Sequence, residues 1–208
     1  DSRILKEMGA LAEGGYDVTG IGVTIDEEEH KTELEFNADI HSVRLGSRKF
    51  TFLPRTLRHI FSLVELVLRV LPQAIRSKPD VVHCHDTLVL PIGVIVKFFA
   101  RAKLVYDAHE LESDRNGLSR VQSILTLWVE KLVWRSVDAL IVVSPSIEQW
   151  YQKTVGSKPS TIILNSPSFS NEVELDADYL REKFNIQKDC KIFIYVGILG
   201  HGRGIDLL

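Results

Sequence analysis

Short apolar runs alternate along this chain with longer segments whose apolar residues recur at helical spacing, and that alternation predicts an α/β fold. The clearest unit is residues 79–110, PDVVHCHDTLVLPIGVIVKFFARAKLVYDAHE. Two apolar runs, 80–82 and 103–106, bracket about one helix length of mostly apolar residues, which reads as strand, helix, strand. Such a crossover makes the two strands parallel, so the residues at their ends emerge on the same sheet edge. In open α/β sheets that edge is where ligands bind. Pro91 fits only the first turn of the intervening helix, which leaves Asp86 and Thr87 in the loop or cap before it.

The remaining pattern extends this unit in both directions. Residues 1–11 predict a helix with Asp1 as N-cap and Gly14-Gly15 as its stop. A β-branched stretch at 16–25 and an alternation at 40–45 predict strands, with an acidic solvated loop at 26–29 between them. Leu57, Ile60, Phe61, Val64, Val67, Leu68 and Leu71 have the spacing of a packed amphipathic helix over 57–75. Glu65 and Arg69 interrupt it, so it is too polar for a membrane span. Residues 118–137 predict a long helix carrying Trp128 and Trp134 as core or interface anchors, and 139–143 a strand buried on both faces. Ser144 and Pro145 are a cap and first position for the next helix, and 161–164 a further strand. From 166 to about 176 the composition turns to Ser, Pro, Asn and acids, as in a linker. A short helix at 179–184 and a new buried strand at 191–196 follow, running into a glycine-rich turn.

Composition narrows this only a little. With 208 residues, 45% of them hydrophobic and 25% charged, the chain has material for one full domain and part of another. A net charge of −3 argues against a general nucleic-acid binder. Cys84 and Cys190 form no disulfide framework, and a reducing cytoplasm is the expected setting. A basic stretch, Arg44, Arg48, Lys49, Arg55 and Arg58, studded with Phe50 and Phe52, keeps open a peripheral contact with anionic lipid at the cytoplasmic membrane face.

Candidate chemistry gathers in three places. In His83-Cys84-His85-Asp86 the two histidines are two residues apart, so on a strand they share a face and Cys84 takes the other. That spacing suits either satisfied strand-end histidines or a metal pair. In Asp107-Ala108-His109-Glu110 a histidine flanked by carboxylates can be tuned as donor or acceptor near neutral pH, or can be a plain loop histidine. Gly197, Gly200, Gly202 and Gly204 with Arg203 form a turn able to approach an anion closely, or simply a tight turn.

Taken together, DSRILKEMGALAEGGYDVT, PDVVHCHD, KLVYDAHE, VDALIVVSPSI, ILNSP and YVGILGHGRGIDLL lie in order over nearly the whole chain. They resemble the family 4 glycosyltransferases of the GT-B fold. The resemblance implies a Rossmann-like parallel sheet flanked by helices, lacking its first strand, over 1–165. It further implies an inter-domain linker at 166–190 and the truncated start of a second Rossmann-like domain at 191–208. The implied activity is retaining transfer of a sugar from a nucleotide-sugar donor to a glycan or lipid-linked acceptor, with no cofactor. By position, His109 matches the histidine that reaches the transferred sugar in this family. His85, Asp86, Asp107 and Glu110 would line the acceptor side, and Gly197, Gly200, Gly202 and Arg203 the donor diphosphate. No metal is needed if fixed donors and cations stabilise the leaving group.

The chain departs from the family in three respects. Its first strand and glycine-rich loop would precede Asp1, Ile198 stands where some members carry arginine, and the paired glutamates that grip the donor would lie beyond Leu208. The 208-residue chain is therefore expected to be inactive by itself. A GT-B sugar-nucleotide epimerase, a metal-dependent hydrolase using His83 and His85, and a non-enzymatic α/β binding module remain as alternatives.

Overall fold

A computed structural model describes residues 2–24, 31–34, 38–115, 117–166 and 178–196. The chain divides into two compact units, Asp1–Asn165 and Ser166–Leu208. The first unit contains two sheets flanked by helices. Helix α1 (Ser2–Glu13) ends at Gly14-Gly15 and leads into β1 (Val18–Thr24). This strand pairs in parallel with β3 (Ala38–Arg44), which pairs antiparallel with β2 (Lys31–Leu34) on its other side. The pattern does not predict β2, because Lys31-Thr32-Glu33-Leu34 lacks an apolar run. Charged edge strands of this kind avoid unwanted pairing.

The second sheet carries the site. Strands β4 (Val81–His85), β5 (Lys103–Ala108), β6 (Ala139–Val142) and β7 (Ser160–Ile162) lie in that order and are all parallel. Each crossover holds a helix: α3 (Leu90–Ala100), α4 (Arg120–Val133) and α5 (Pro145–Thr154). Pro91 sits in the first turn of α3, and Ser144 caps α5 by accepting from the Ile147 amide. Ser119 and Gln122 close a reciprocal capping box on α4. Strands β4 and β5 both run longer than their apolar runs, so His83, His85 and Asp107 stand on the strands themselves and His109 just beyond.

The main core lies on the face opposite those polar residues. Cys84, Leu90, Leu104, Tyr106, Trp134, Val137, Leu140, Val142 and Tyr151 form one buried cluster. Gly93 lets α3 press onto this face, since a Cβ there would collide with Cys84 Sγ. Gly93→Ala therefore has to push α3 off the sheet. Strand β6 is enclosed on one face only: Leu140 and Val142 are buried, while Ala139 and Ile141 are half-buried.

Helix α2 (Arg55–Arg76) departs from the expectation in which face it buries. Leu66, Val67, Val70, Leu71, Ala74 and Ile75 pack with Leu45, Ile92 and Val96. Leu57, Ile60, Phe61, Val64 and Leu68, at the helical spacing that predicted packing, are exposed. Periodicity identifies an apolar stripe, and α2 has two of them. Helix α4 repeats the feature: Val121, Ile124, Leu125, Trp128 and Leu132 face outward, while Glu130 and the neighbouring Trp134 are buried. No described helix is long and apolar enough to cross a membrane.

In the second unit α6 (Tyr179–Phe184) forms as expected, and Asn185 in left-handed conformation ends it. Residues 191–196 are not a buried strand: they join no ladder among the described residues, and Phe193 and Val196 are 86% and 90% exposed. A strand needs a partner for its backbone groups, and no described segment of this unit offers one. Gly197, Gly200, Gly202, Arg203 and Gly204 lie outside the described residues.

Candidate functional site

The parallel register sets His85 of β4 beside Asp107 of β5, so their side chains stand on one face at the carboxyl edge. His83, two residues back, shares that face, and its ring stacks on His85 with centroids 4.3 Å apart. Immediately past β5, His109 turns back toward the same point. Its Nε2 lies 3.0 Å from His85 Nδ1 and 3.3 Å from Asp107 Oδ2. Asp86, held at φ 70° where the chain leaves β4, donates its amide to the Asp107 carbonyl and brings its carboxylate to 3.9 Å from His109 Nδ1. Aspartate tolerates this left-handed conformation better than most residues, which permits so abrupt an exit. Glu110 is exposed on the adjoining loop.

The sequence reading missed two residues that complete the cluster from α1. Arg3 is 5% exposed; its Nη2 donates to Asp107 Oδ1 at 2.9 Å and its Nη1 to the Ile163 carbonyl at 2.9 Å. The same guanidinium places Nε 2.9 Å from Glu7 Oε1 one helical turn along. The available signal was the i,i+4 spacing of Arg3 and Glu7. Nothing in a local pattern distinguishes such a buried pair from a solvated one.

Asp107 is fully enclosed, so it meets the histidines and Arg3 rather than solvent. Burial alone would raise its pKa. Contacts from His109, His83 and His85, with the Arg3 charge, outweigh that and hold the carboxyl well below the usual carboxylate range. The same carboxylate raises the pKa of His109 above the ordinary imidazole value, against the opposing effect of burial. His85 moves the other way, lowered by burial despite Asp107 and further lowered by its histidine neighbours. These opposite directions favour His109 Nε2 as donor and His85 Nδ1 as acceptor in the 3.0 Å pair. The edge thus presents an imidazole whose protonated form is favoured by a buried carboxylate, beside an exposed loop.

A second acidic pocket lies nearby. Glu112, 4% exposed, has its carboxyl pushed up to about 7 by burial and then by the Asp86 charge, with Arg115 opposing. Glu130, reaching in from α4, accepts from Tyr106, Tyr151 and Thr87. Neither glutamate was singled out from sequence, because each sits among residues that read as loop or helix surface.

Comparison with known proteins follows from this geometry. The glycosyl transferase 4-like domain matches residues 2–167. No curated protein matches the sequence. Among solved structures, sucrose-phosphate synthase (tll1590) from Thermosynechococcus elongatus aligns with TM-score 0.65 and 20% identity, covering 89% of this chain and 47% of that one. A shorter form of that synthase, comprising segments 27–220 and 406–426, aligns with TM-score 0.58 and 17% identity, covering 88% of this chain and 90% of that one. Anabaena Alr3699/HepE in complex with UDP-glucose aligns with TM-score 0.47 and 15% identity over 81% of this chain and 50% of that one, a likeness too slight to bear on function. The fold is the helix-flanked parallel-sheet architecture of GT-B glycosyltransferases. The chain belongs to the glycosyl transferase 4-like domain family. It spans about half the length of the synthase chain, 47%.

Proposed function

We propose that this domain forms the acceptor side of a retaining glycosyltransferase, which moves a sugar from a nucleotide-sugar donor to a glycan or lipid-linked acceptor. The observation that carries the reading is His109, held at the carboxyl edge of the parallel sheet by Asp107 at 3.3 Å and by His85 at 3.0 Å. His109 is the group that contacts the transferred sugar. A charged imidazole in a fixed position supplies a donor and a positive charge without reorganising during the reaction. Asp107, being wholly buried, acts through His109 as a positioning residue. His85, Asp86 and the exposed Glu110 line the acceptor wall. Gly197, Gly200, Gly202 and Arg203 serve the donor diphosphate.

The exposed stripe of α2 supports a cytoplasmic domain lying at an anionic membrane surface. Leu57, Ile60, Phe61, Val64 and Leu68 would enter the interface, with Arg48, Lys49, Arg55 and Arg58 attracting the headgroups. Co-sedimentation with phosphatidylserine vesicles checks this: Ile60→Glu with Leu68→Glu should abolish binding, and wild-type protein left in the supernatant would refute it.

The catalytic reading is tested on a protein in which this domain is joined to a nucleotide-sugar-binding domain. Donors and lipid-linked or glycan acceptors are supplied, and the anomeric configuration of the product is read by NMR. Retained configuration is expected. Inverted product, or epimerised donor without any transfer, would overturn the reading.

A further inference from the structure

We infer that Glu7, His83, His85 and Asp107 form a four-ligand site for a divalent transition-metal ion that ties α1 to the ends of β4 and β5. The site shares His85 and Asp107 with the transferase reading, but His109 is not one of its ligands and no step of sugar transfer passes through the ion.

The first support is geometric. The four candidate ligand atoms are Glu7 Oε2, His83 Nε2, His85 Nδ1 and Asp107 Oδ2, and the four groups offer ligand atoms that all lie within 4.8 Å of one another. His85 Nδ1 is 3.3 Å from Asp107 Oδ2 and 3.9 Å from Glu7 Oε2; His83 Nε2 is 3.7 Å and 3.9 Å from the same two oxygens. A tetrahedral zinc ion with bonds of about 2.0–2.1 Å sets its ligands about 3.4 Å apart. The four histidine–carboxylate spacings, 3.3–3.9 Å, lie within about 0.5 Å of that value, and the remaining pairs, within 4.8 Å, close by at most about 1.4 Å when the side chains converge on an ion.

The second support is independent of those distances. Glu7 Oε2, His83 Nε2 and Asp107 Oδ2 are buried and make no well-aligned hydrogen bond among the described residues, and the Asp107 side chain is wholly enclosed. Enclosed polar atoms whose contacts are long or poorly aligned are costly. One cation satisfies all three atoms at once. Arg3 completes the arrangement by occupying the other oxygen of each carboxylate, Asp107 Oδ1 at 2.9 Å and Glu7 Oε1 at 2.9 Å, which directs Oδ2 and Oε2 toward a common point.

The donor set selects the ion. Two imidazoles with two carboxylates suit zinc better than the all-oxygen cations, and Cys84 faces the core on the other side of the sheet. Four protein ligands fill a tetrahedral shell, so the ion holds structure rather than activating water. On binding it takes the His85 Nδ1 lone pair, and His109 Nε2 turns its proton to the second lone pair of Asp107 Oδ2, 3.3 Å away.

The test uses the metal alone. The purified 208-residue chain is stripped with chelator and titrated with Co²⁺, whose visible bands report tetrahedral coordination, and then with Zn²⁺ as competitor. One equivalent of tetrahedral Co²⁺, displaced by Zn²⁺ and accompanied by a rise in unfolding temperature, is expected. His83→Gln should abolish saturable binding, Arg3→Gln should weaken it about 10–100-fold, and His59→Gln, exposed on α2, should leave it unchanged. Circular dichroism on each variant separates lost binding from lost folding. Absence of saturable binding by the wild-type chain, or unchanged affinity in folded His83→Gln, would overturn the site.

Discussion

Tyr106 and Asp107 are consecutive on β5, both wholly buried, and project to opposite faces of the same sheet. Behind Tyr106 lies a carboxyl whose hydrogen-bond donors are hydroxyls: Glu130 Oε1 accepts from Tyr106 at 2.7 Å, Tyr151 at 2.6 Å and Thr87 at 3.2 Å. Burial raises its pKa, and the three hydroxyl donors offset this only in part. Asp107 is no less enclosed, yet it is held ionised, because its neighbours are three imidazoles and a guanidinium. Equal burial thus shifts the two acids in opposite directions. Glu130 is pushed toward its neutral form inside the core, and Asp107 is held as the charged anchor of the sheet edge.

The strongest way to break that contrast is Asp107→Asn. It removes the buried carboxylate that meets Arg3 and the three histidines and leaves Arg3 only Glu7 as a charge partner, so a loss of about 3–5 kcal/mol is expected in urea unfolding. A loss below about 1 kcal/mol would mean the charge is not anchored as described.

Glu112 offers the next largest effect, read through pH. Its folded pKa of about 7 exceeds the ordinary 4.5, so the folded state holds a proton that the unfolded state has released between those values. Its contribution therefore favours folding below pH 4.5 and is lost as pH rises through about 7. Glu112→Gln should match wild type near pH 4.5 and be the more stable above pH 7, by on the order of 2–3 kcal/mol. Parallel stability curves for the two proteins would contradict this.

The smallest effect is expected at Glu130→Gln. An amide replaces a carboxyl whose neutral form burial favours and keeps the accepting oxygen for Tyr106 and Tyr151, so the change should stay within about 1 kcal/mol. A destabilisation as large as that of Asp107→Asn would mean Glu130 is ionised, and the contrast between the two faces would fail.

What the sequence revealed follows from how local each feature is. The β4–α3–β5 unit was legible because strand and helix periods differ and Pro91 marks the start of the helix, and parallel pairing then brought His83, His85, Asp107 and His109 together. The participation of Arg3 and Glu7 was not legible, since 104 residues separate Arg3 from Asp107 and only the folded chain joins them. Apolar spacing located α2 and α4 but could not say which side of each meets the core. Glu130 shows the same limit: its helix turns a carboxyl inward and Trp128 outward, a choice set by Tyr106 and Tyr151 on other elements. At 191–196 a β-rich composition has no described ladder partner, and composition alone does not make a strand.

The central claim is that the charged edge serves sugar transfer through His109, and the rate of transfer by His109→Ala tests it most directly. With this domain joined to a nucleotide-sugar-binding domain and donor saturating, the account predicts a fall of about 10²–10⁴ in kcat with folding unchanged. Transfer at the wild-type rate by a folded His109→Ala protein would contradict it.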